Sequence, residues 1–172
     1  SEGGVSSESV NELSASIDMH AVESLQNENQ NDAATLIINK VELRNAQGIL
    51  CAAVQFGDLV FIDFEIQVFR NIQLPCFGIQ ISSTDGIALW SANTMNMNVR
   101  PASMQPGITQ LRWCLKANFG GNRYVFALGA GEVFDGEYRR YHRLGYAGHL
   151  DVIQIRASGS GWLAPEPKFI IQ

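Results

Sequence analysis

This chain is notable first for what it lacks. No apolar run approaches the roughly 18 residues needed to cross a bilayer, and the first residues carry neither a basic stretch nor an apolar core of signal-peptide type. Only three cysteines occur, Cys51, Cys76 and Cys114, with no CxxC spacing and no Asn-x-Ser/Thr sequon. An odd, sparse set of thiols fits a reducing compartment better than a disulfide framework, so a cytoplasmic protein is expected. Positive charge is missing from the start of the chain: no Lys or Arg precedes Lys40, while Glu2, Glu8, Glu12, Asp18, Glu23, Glu28 and Asp32 fall there. The net charge of −5 therefore conceals a division, because 10 acids face 12 bases in the remainder. A near-neutral body without a dense basic stripe argues against nucleic acid as a partner.

Catalytic motifs are missing too. The sequence holds no GxxxxGK[ST] loop, no HExxH, no GxSxG and no paired-cysteine metal spacing. No catalytic residue, metal or cofactor is assigned on this basis, and no enzyme activity is expected. His142 and His149 lie seven apart and could in principle share a metal, but rim imidazoles are the better reading. Asp63 and Glu65 alternate on one strand face and read as solvated charges rather than as an acid–base pair.

What the chain does have is alternation. Val60, Ile62, Phe64, Ile66 and Val68 interleave with Phe61, Asp63, Glu65, Gln67 and Phe69, the signature of a half-buried antiparallel strand. Strands are predicted over 35–44, 58–70, 76–83, 87–93, 108–118, 123–129, 150–157 and 167–171, with no convincing helix. Eight short strands separated by turn residues indicate an all-β, two-sheet antiparallel sandwich of immunoglobulin-like or jelly-roll type over 33–172. Residues 1–32, rich in Ser, Asn, Gln and Glu, cannot bury enough surface to order themselves and read as an acidic linker, with something upstream of it in the intact protein.

Two turns set the expected register. A two-residue turn at Gly120-Gly121 would pair Leu115 with Phe126 and Trp113 with Leu128, placing Arg112, Lys116 and Arg123 together on the opposite face. At Asp85-Gly86, a three-residue loop with Gly86 left-handed pairs Ile81 with Leu89. It sends Ile79, Ile81, Ile87 and Leu89 inward and turns Gln80 and Trp90 outward; a two-residue loop would instead pair Ile81 with Trp90 and bury the indole. Residues 131–149 read as a long connection, unusual in holding Tyr138, Arg139, Arg140, Tyr141, His142, Arg143 and Tyr146.

Several short segments in order carry a resemblance: Phe56-Gly57-Asp58-Leu59 before the long alternating strand, Phe77-Gly78-Ile79-Gln80-Ile81 with Asp85-Gly86, and Trp90-Ser91-Ala92-Asn93-Thr94. Pro106-Gly107 and Gly161-Trp162-Leu163-Ala164-Pro165 complete it. From about residue 35 onward the chain resembles the C-terminal domain of Wzt, the nucleotide-binding subunit of O-antigen polysaccharide ABC transporters. The resemblance implies a β-sandwich that follows an ATPase domain through a linker. It implies binding of the modified non-reducing terminus of the polysaccharide, which licenses export, and a homodimer, with strand exchange known in the family. It also implies partnership with the ATPase and a transmembrane subunit, and a cytoplasmic location at the inner membrane without direct insertion. The Tyr/Arg-rich stretch at 138–146 is no family-wide pattern.

A sugar offers an apolar C–H face and a rim of hydroxyls, so its receptor needs an aromatic plane and planar hydrogen-bonding side chains. Gln80 and Trp90 supply both on the preferred register, and Arg112 and Lys116 could meet an acidic cap if the same sheet carries them. Tyr138, Arg140 and Tyr141 form the second candidate group, as a clasp for an anionic terminus or as a dimer contact. Trp90 as a core residue remains open; Trp113 is read as core, and Trp162 as closing one end of the sandwich. The alternative function is a structural or dimerisation domain whose faces meet protein rather than glycan.

Overall fold

The computed structural model describes residues 34–154 and 162; the linker expected over 1–32 and the strand expected over 167–171 lie outside these. Eight strands follow in order: β1 (Leu36–Asn45), β2 (Ala53–Gln55), β3 (Leu59–Val68), β4 (Pro75–Ser83), β5 (Ala88–Asn93), β6 (Gly107–Lys116), β7 (Asn122–Phe134) and β8 (Glu137–Ile153). They form two sheets, a three-stranded one ordered β1-β3-β6 and a five-stranded one ordered β2-β8-β7-β4-β5. All pairings are antiparallel except the short β2–β8 pair. The all-β sandwich expected from the alternation is the fold observed.

β3 shows why. Its even-numbered residues from Val60 to Val68 are buried and the residues between them are half-exposed, as a period of two requires. Ile62 and Ile66 from this sheet, and Phe126, Leu128, Ile81 and Leu150 from the other, are essentially inaccessible to water. Phe64 meets Phe77 edge-on across the interface, ring centroids 6.1 Å apart. Each such side chain contributes about 1.5–3 kcal/mol by leaving water. Phe126→Ala should accordingly cost about 3–5 kcal/mol in a denaturant melt.

The expected Gly120-Gly121 hairpin does not form. Trp113 pairs with Ile62 and Leu115 with Val60 in the three-stranded sheet, whereas Phe126 and Leu128 belong to the five-stranded one. The chain crosses between sheets at 117–121 and is pinned there. Ala117 is buried, its N–H donating to the Asp58 carbonyl and its own carbonyl accepting from Gly57. The buried Tyr124 hydroxyl donates to the Gly120 carbonyl four residues back at 2.7 Å, the local geometry of a tyrosine corner. Trp113 is core, as expected, but through β3 rather than β7. Arg123 parts company with Arg112 and Lys116, because β7 lies in the other sheet.

The supposed long connection at 131–149 is also a correction. β7 and β8 form one extended hairpin closed by Phe134 opposite Glu137. At its tip Asp135 and Gly136 both have positive φ, 51° and 79°, the requirement of a type I′ turn matched to strand twist. Asp-Gly between strands is the sequence signal for it.

At the β4–β5 turn Gly86 is left-handed as expected, yet Ile81 pairs with Trp90 and Ser82 with Ala88. The register slips between those pairs, so Leu89 is the additional residue of a bulge. Ile79 and Ile81 point inward as expected, while Ile87 is half-exposed.

One hydrogen bond ties the sheets together from the side. The Ile38 amide donates to Nδ1 of His142, a half-buried ring on β8. A backbone N–H can only donate, so that nitrogen must be unprotonated, and burial pushes the imidazole pKa below 6.5. Below about pH 6.5 the unfolded chain takes up a proton that the folded ring refuses, so stability falls as pH drops toward the lowered folded value. The depressed carboxylates of Asp63, Asp151 and Glu42, each held down first by its arginine or lysine hydrogen bonds, lose their contribution only at lower pH, through their folded values. Thermal melts between pH 8 and 5 should show a decline that is largely absent in His142→Asn.

Candidate functional site

The outer face of the five-stranded sheet is recessed. Gly78 on β4 pairs with Gly129 on β7, and the row continues to Asn93 on β5 and Arg143 on β8. Two adjacent strands thus present no side chain at the same level, leaving a trough of about 210 Å³. Gln80, Ser91 and Asn93 line one side, and Tyr138, Arg140 and Arg143 the other. A Cβ at Gly129 would stand 2.9 Å from the Tyr138 hydroxyl and 3.3 Å from Cδ of Arg140, so both side chains lean over this glycine. At Gly78 a Cβ would meet only ordinary contacts, the nearest at 3.7 Å.

β8 can swing Tyr138 and Arg140 over the sheet because the hairpin is kinked. Its register slips between Ala130 and Gly131, leaving Tyr141 unpaired as the additional residue. Gly131 lies so close to the partner strand that a Cβ there would sit 2.0 Å from the Arg139 carbonyl oxygen.

The Tyr138 hydroxyl is buried and has no hydrogen-bond partner among the described residues. Burial, ahead of the neighbouring Cys76, pushes its pKa up to about 12, so it remains an O–H donor at any physiological pH. An unpartnered buried hydroxyl costs about 1–3 kcal/mol, and a ligand supplying an acceptor removes that cost. No Asp or Glu lines the trough. Among the described residues Arg140 and Arg143 have no ion-pair partner, whereas Arg44, Arg112 and Arg123 all do.

The candidates named from sequence divide accordingly. Gln80, Tyr138 and Arg140 come together at the trough. Tyr141 does not line it: its hydroxyl donates to the Glu132 carboxylate and Arg70 stacks 5.5 Å over its ring. Trp90 is 45% exposed but pairs with Ile81, which places it on the opposite face of the strand from Gln80, at the sheet edge. The bulge at Leu89 reverses the expected orientation. Arg112 and Lys116 lie on β6 in the other sheet, away from Gln80. Arg112 is committed to Asp63, Nη2 donating to Oδ2 at 2.8 Å, and covers the Phe61 ring at 4.4 Å. Gly78, Gly129, Ser91, Asn93 and Arg143 were not picked out as site residues; only the pairing of strands 50 residues apart in sequence brings the two glycines side by side.

A second hollow, between β1 and β8, is lined by Leu43, Leu50, Cys51 and Ala147 with Glu42 and His149 at its rim. It is larger, about 420 Å³, but lacks the convergent donors of the trough. His149 there is bonded to the Tyr146 hydroxyl at 2.7 Å. Among the described residues no three His, Cys, Asp or Glu side chains converge as a metal site would need.

Fold and site together define a β-sandwich domain with a recessed, donor-rich sheet face. The sequence model of the Wzt C-terminal domain matches residues 27–163, and the chain belongs to that family. A solved structure described as the crystal structure of the C-terminal domain of wzt has the same fold. It superposes with a TM-score of 0.69 at 12% identity, over 81% of this chain and 86% of that one. No curated protein matches the sequence. Family membership gives the chain a role in an O-antigen ABC transporter, as a transporter-associated domain. No helix among the described residues is long and apolar enough to cross a membrane.

Proposed function

We propose that this domain binds the modified non-reducing terminus of an O-antigen polysaccharide in the trough over Gly78 and Gly129, and so licenses export. The observation that carries the reading is the buried, unpartnered Tyr138 hydroxyl above a glycine floor, ringed by Gln80, Ser91, Asn93, Arg140 and Arg143. Planar amide and guanidinium groups are what fix the hydroxyls of a sugar ring. At about 210 Å³ the site is smaller than the roughly 300–1,000 Å³ of drug-sized pockets. It suits one terminal residue with its cap rather than a length of polymer. Nothing in this role requires catalysis, and the domain acts as a reader rather than an enzyme.

In this reading residues 1–32 tether the sandwich to an ATPase domain, and the assembly works on the cytoplasmic side of the inner membrane beside its transmembrane subunit. A homodimer is part of the proposal. Its contact surface is the β5 edge, where Ile87, Trp90, Met97 and Val99 are each about half-exposed. An edge strand with unpaired backbone groups and apolar side chains invites pairing. The dimerisation alternative rests on this same edge.

Affinity electrophoresis separates the two. Polysaccharide with its native terminus should retard the protein, and chains lacking the terminal modification should not. Trp90→Ser should leave that retardation intact while shifting the chain toward monomer in sedimentation. Loss of glycan retention in Trp90→Ser would move the site to the β5 edge.

A further inference from the structure

The trough is not merely polar; it is cationic and lacks counter-charge. Twelve residues line it, among them two arginines and no carboxylate. Arg143 stands directly across from Gly129 in the β7–β8 register, while Arg140 leans over that same glycine from the bulged side. The two guanidinium-bearing chains therefore flank the one position where the floor is open. Elsewhere the fold neutralises arginines that project from its sheets: Arg112 against Asp63, Arg123 against Asp151, Arg44 against Glu42. Arg140 and Arg143 are left without such partners among the described residues, and the Tyr138 hydroxyl beside them can only be satisfied by an acceptor.

We infer that the trough selects a terminus bearing an anionic group, phosphoryl or carboxylate, held between Arg140 and Arg143 with the Tyr138 hydroxyl as a third donor. This rests on the proposed glycan site and specifies the chemistry it accepts. Guanidinium groups engage two oxygens of such an anion at once, and charge-assisted hydrogen bonds are about twice as strong as neutral ones. A neutral ring would meet the same Gln80, Ser91 and Asn93 but leave both arginines solvated and the inner hydroxyl unanswered. Tyr138 adds selectivity of a different kind. With its pKa raised, it donates but does not become a competing anion.

The test uses the whole 172-residue chain and three probes: a neutral hexose, the corresponding hexose phosphate and the hexuronate. Binding is read from amide shifts of Gly78 and Gly129, at low and high salt. The charged probes should bind at least about tenfold tighter than the neutral hexose, with the advantage lost at high salt and in Arg140→Gln/Arg143→Gln. The ratio of the two charged probes identifies which anion is preferred. Tyr138→Phe should weaken the charged probes at unchanged stability, and Arg112→Gln should alter nothing. Equal binding of neutral and charged probes at these glycines, insensitive to the double substitution, would overturn the anion selectivity while leaving the glycan site standing. Failure of all three probes and of the native polysaccharide to shift Gly78 or Gly129 would overturn both.

Discussion

Gly131→Ala is expected to be the most damaging single methyl that can be added to this domain. The new Cβ would sit 2.0 Å from the Arg139 carbonyl oxygen, 2.8 Å from the Arg140 Cα and 2.9 Å from the Arg139 carbonyl carbon. All three are backbone atoms, so no rotamer change relieves the contact, and the β7–β8 hairpin must part at its bulge. Overpacking of this severity costs about 2–4 kcal/mol, or a fall in melting temperature of roughly 10 °C for a domain of this size. Gly78→Ala provides the comparison, since its Cβ enters ordinary contacts and should change stability by less than about 0.5 kcal/mol. Equal melting temperatures for the two variants would mean that β7 and β8 do not approach as described.

The second large effect is on binding without a matching loss of stability. Gly78→Val places two methyl groups on the floor of the trough, at a position whose Cβ has room. Valine is a better strand former than glycine by up to about 1 kcal/mol, so the fold should hold or gain. The ligand, however, loses the space it occupies, and glycan binding should fall below detection in affinity electrophoresis. Gly129→Ala should act similarly by a different route. Its Cβ would press on the ends of the Tyr138 and Arg140 side chains rather than on backbone, so they swing away and the donors disperse. Retained binding in Gly78→Val, with the fold intact, would exclude the trough.

The sandwich itself was readable from local pattern. The alternation from Val60 to Val68 determines which side chains of β3 are buried, and no distant contact alters it. Boundaries of β1, β3, β4, β5 and β6 followed from the same period. Pairing between strands was less readable, for a physical reason. At Gly120-Gly121 the local signal for a hairpin competes with burial of Ala117 and the Tyr124–Gly120 hydrogen bond, which send the chain to the other sheet. Trp90 was misplaced by one inserted residue, Leu89, because a single slip exchanges the faces of a strand. In the 131–149 stretch the Asp135-Gly136 signal was present, but two bulge-associated breaks in the β7–β8 register hide the alternation on both sides.

The candidate site was half visible. Tyr138 and Arg140 stood out because that much aromatic and positive character is rarely spent on a solvated turn, and Gln80 because it alternates out of a buried strand. The glycine floor could not be found this way. Gly78 and Gly129 acquire meaning only when β4 and β7 are aligned, and Arg112 loses its role only when Asp63, 49 residues away, is seen to hold it. Charges that look alike in sequence thus separate into neutralised ones on the three-stranded sheet and unpaired ones at the trough.

The most direct measurement is an amide shift titration of the isotopically labelled chain with the terminal oligosaccharide of its cognate O-polysaccharide. The largest changes should fall on Gly78, Gln80, Gly129 and Arg143, with β1, β3 and β6 unmoved. Shifts centred on Arg112 and Lys116, or on Trp90 alone, would contradict the assignment of the recessed face as the glycan site.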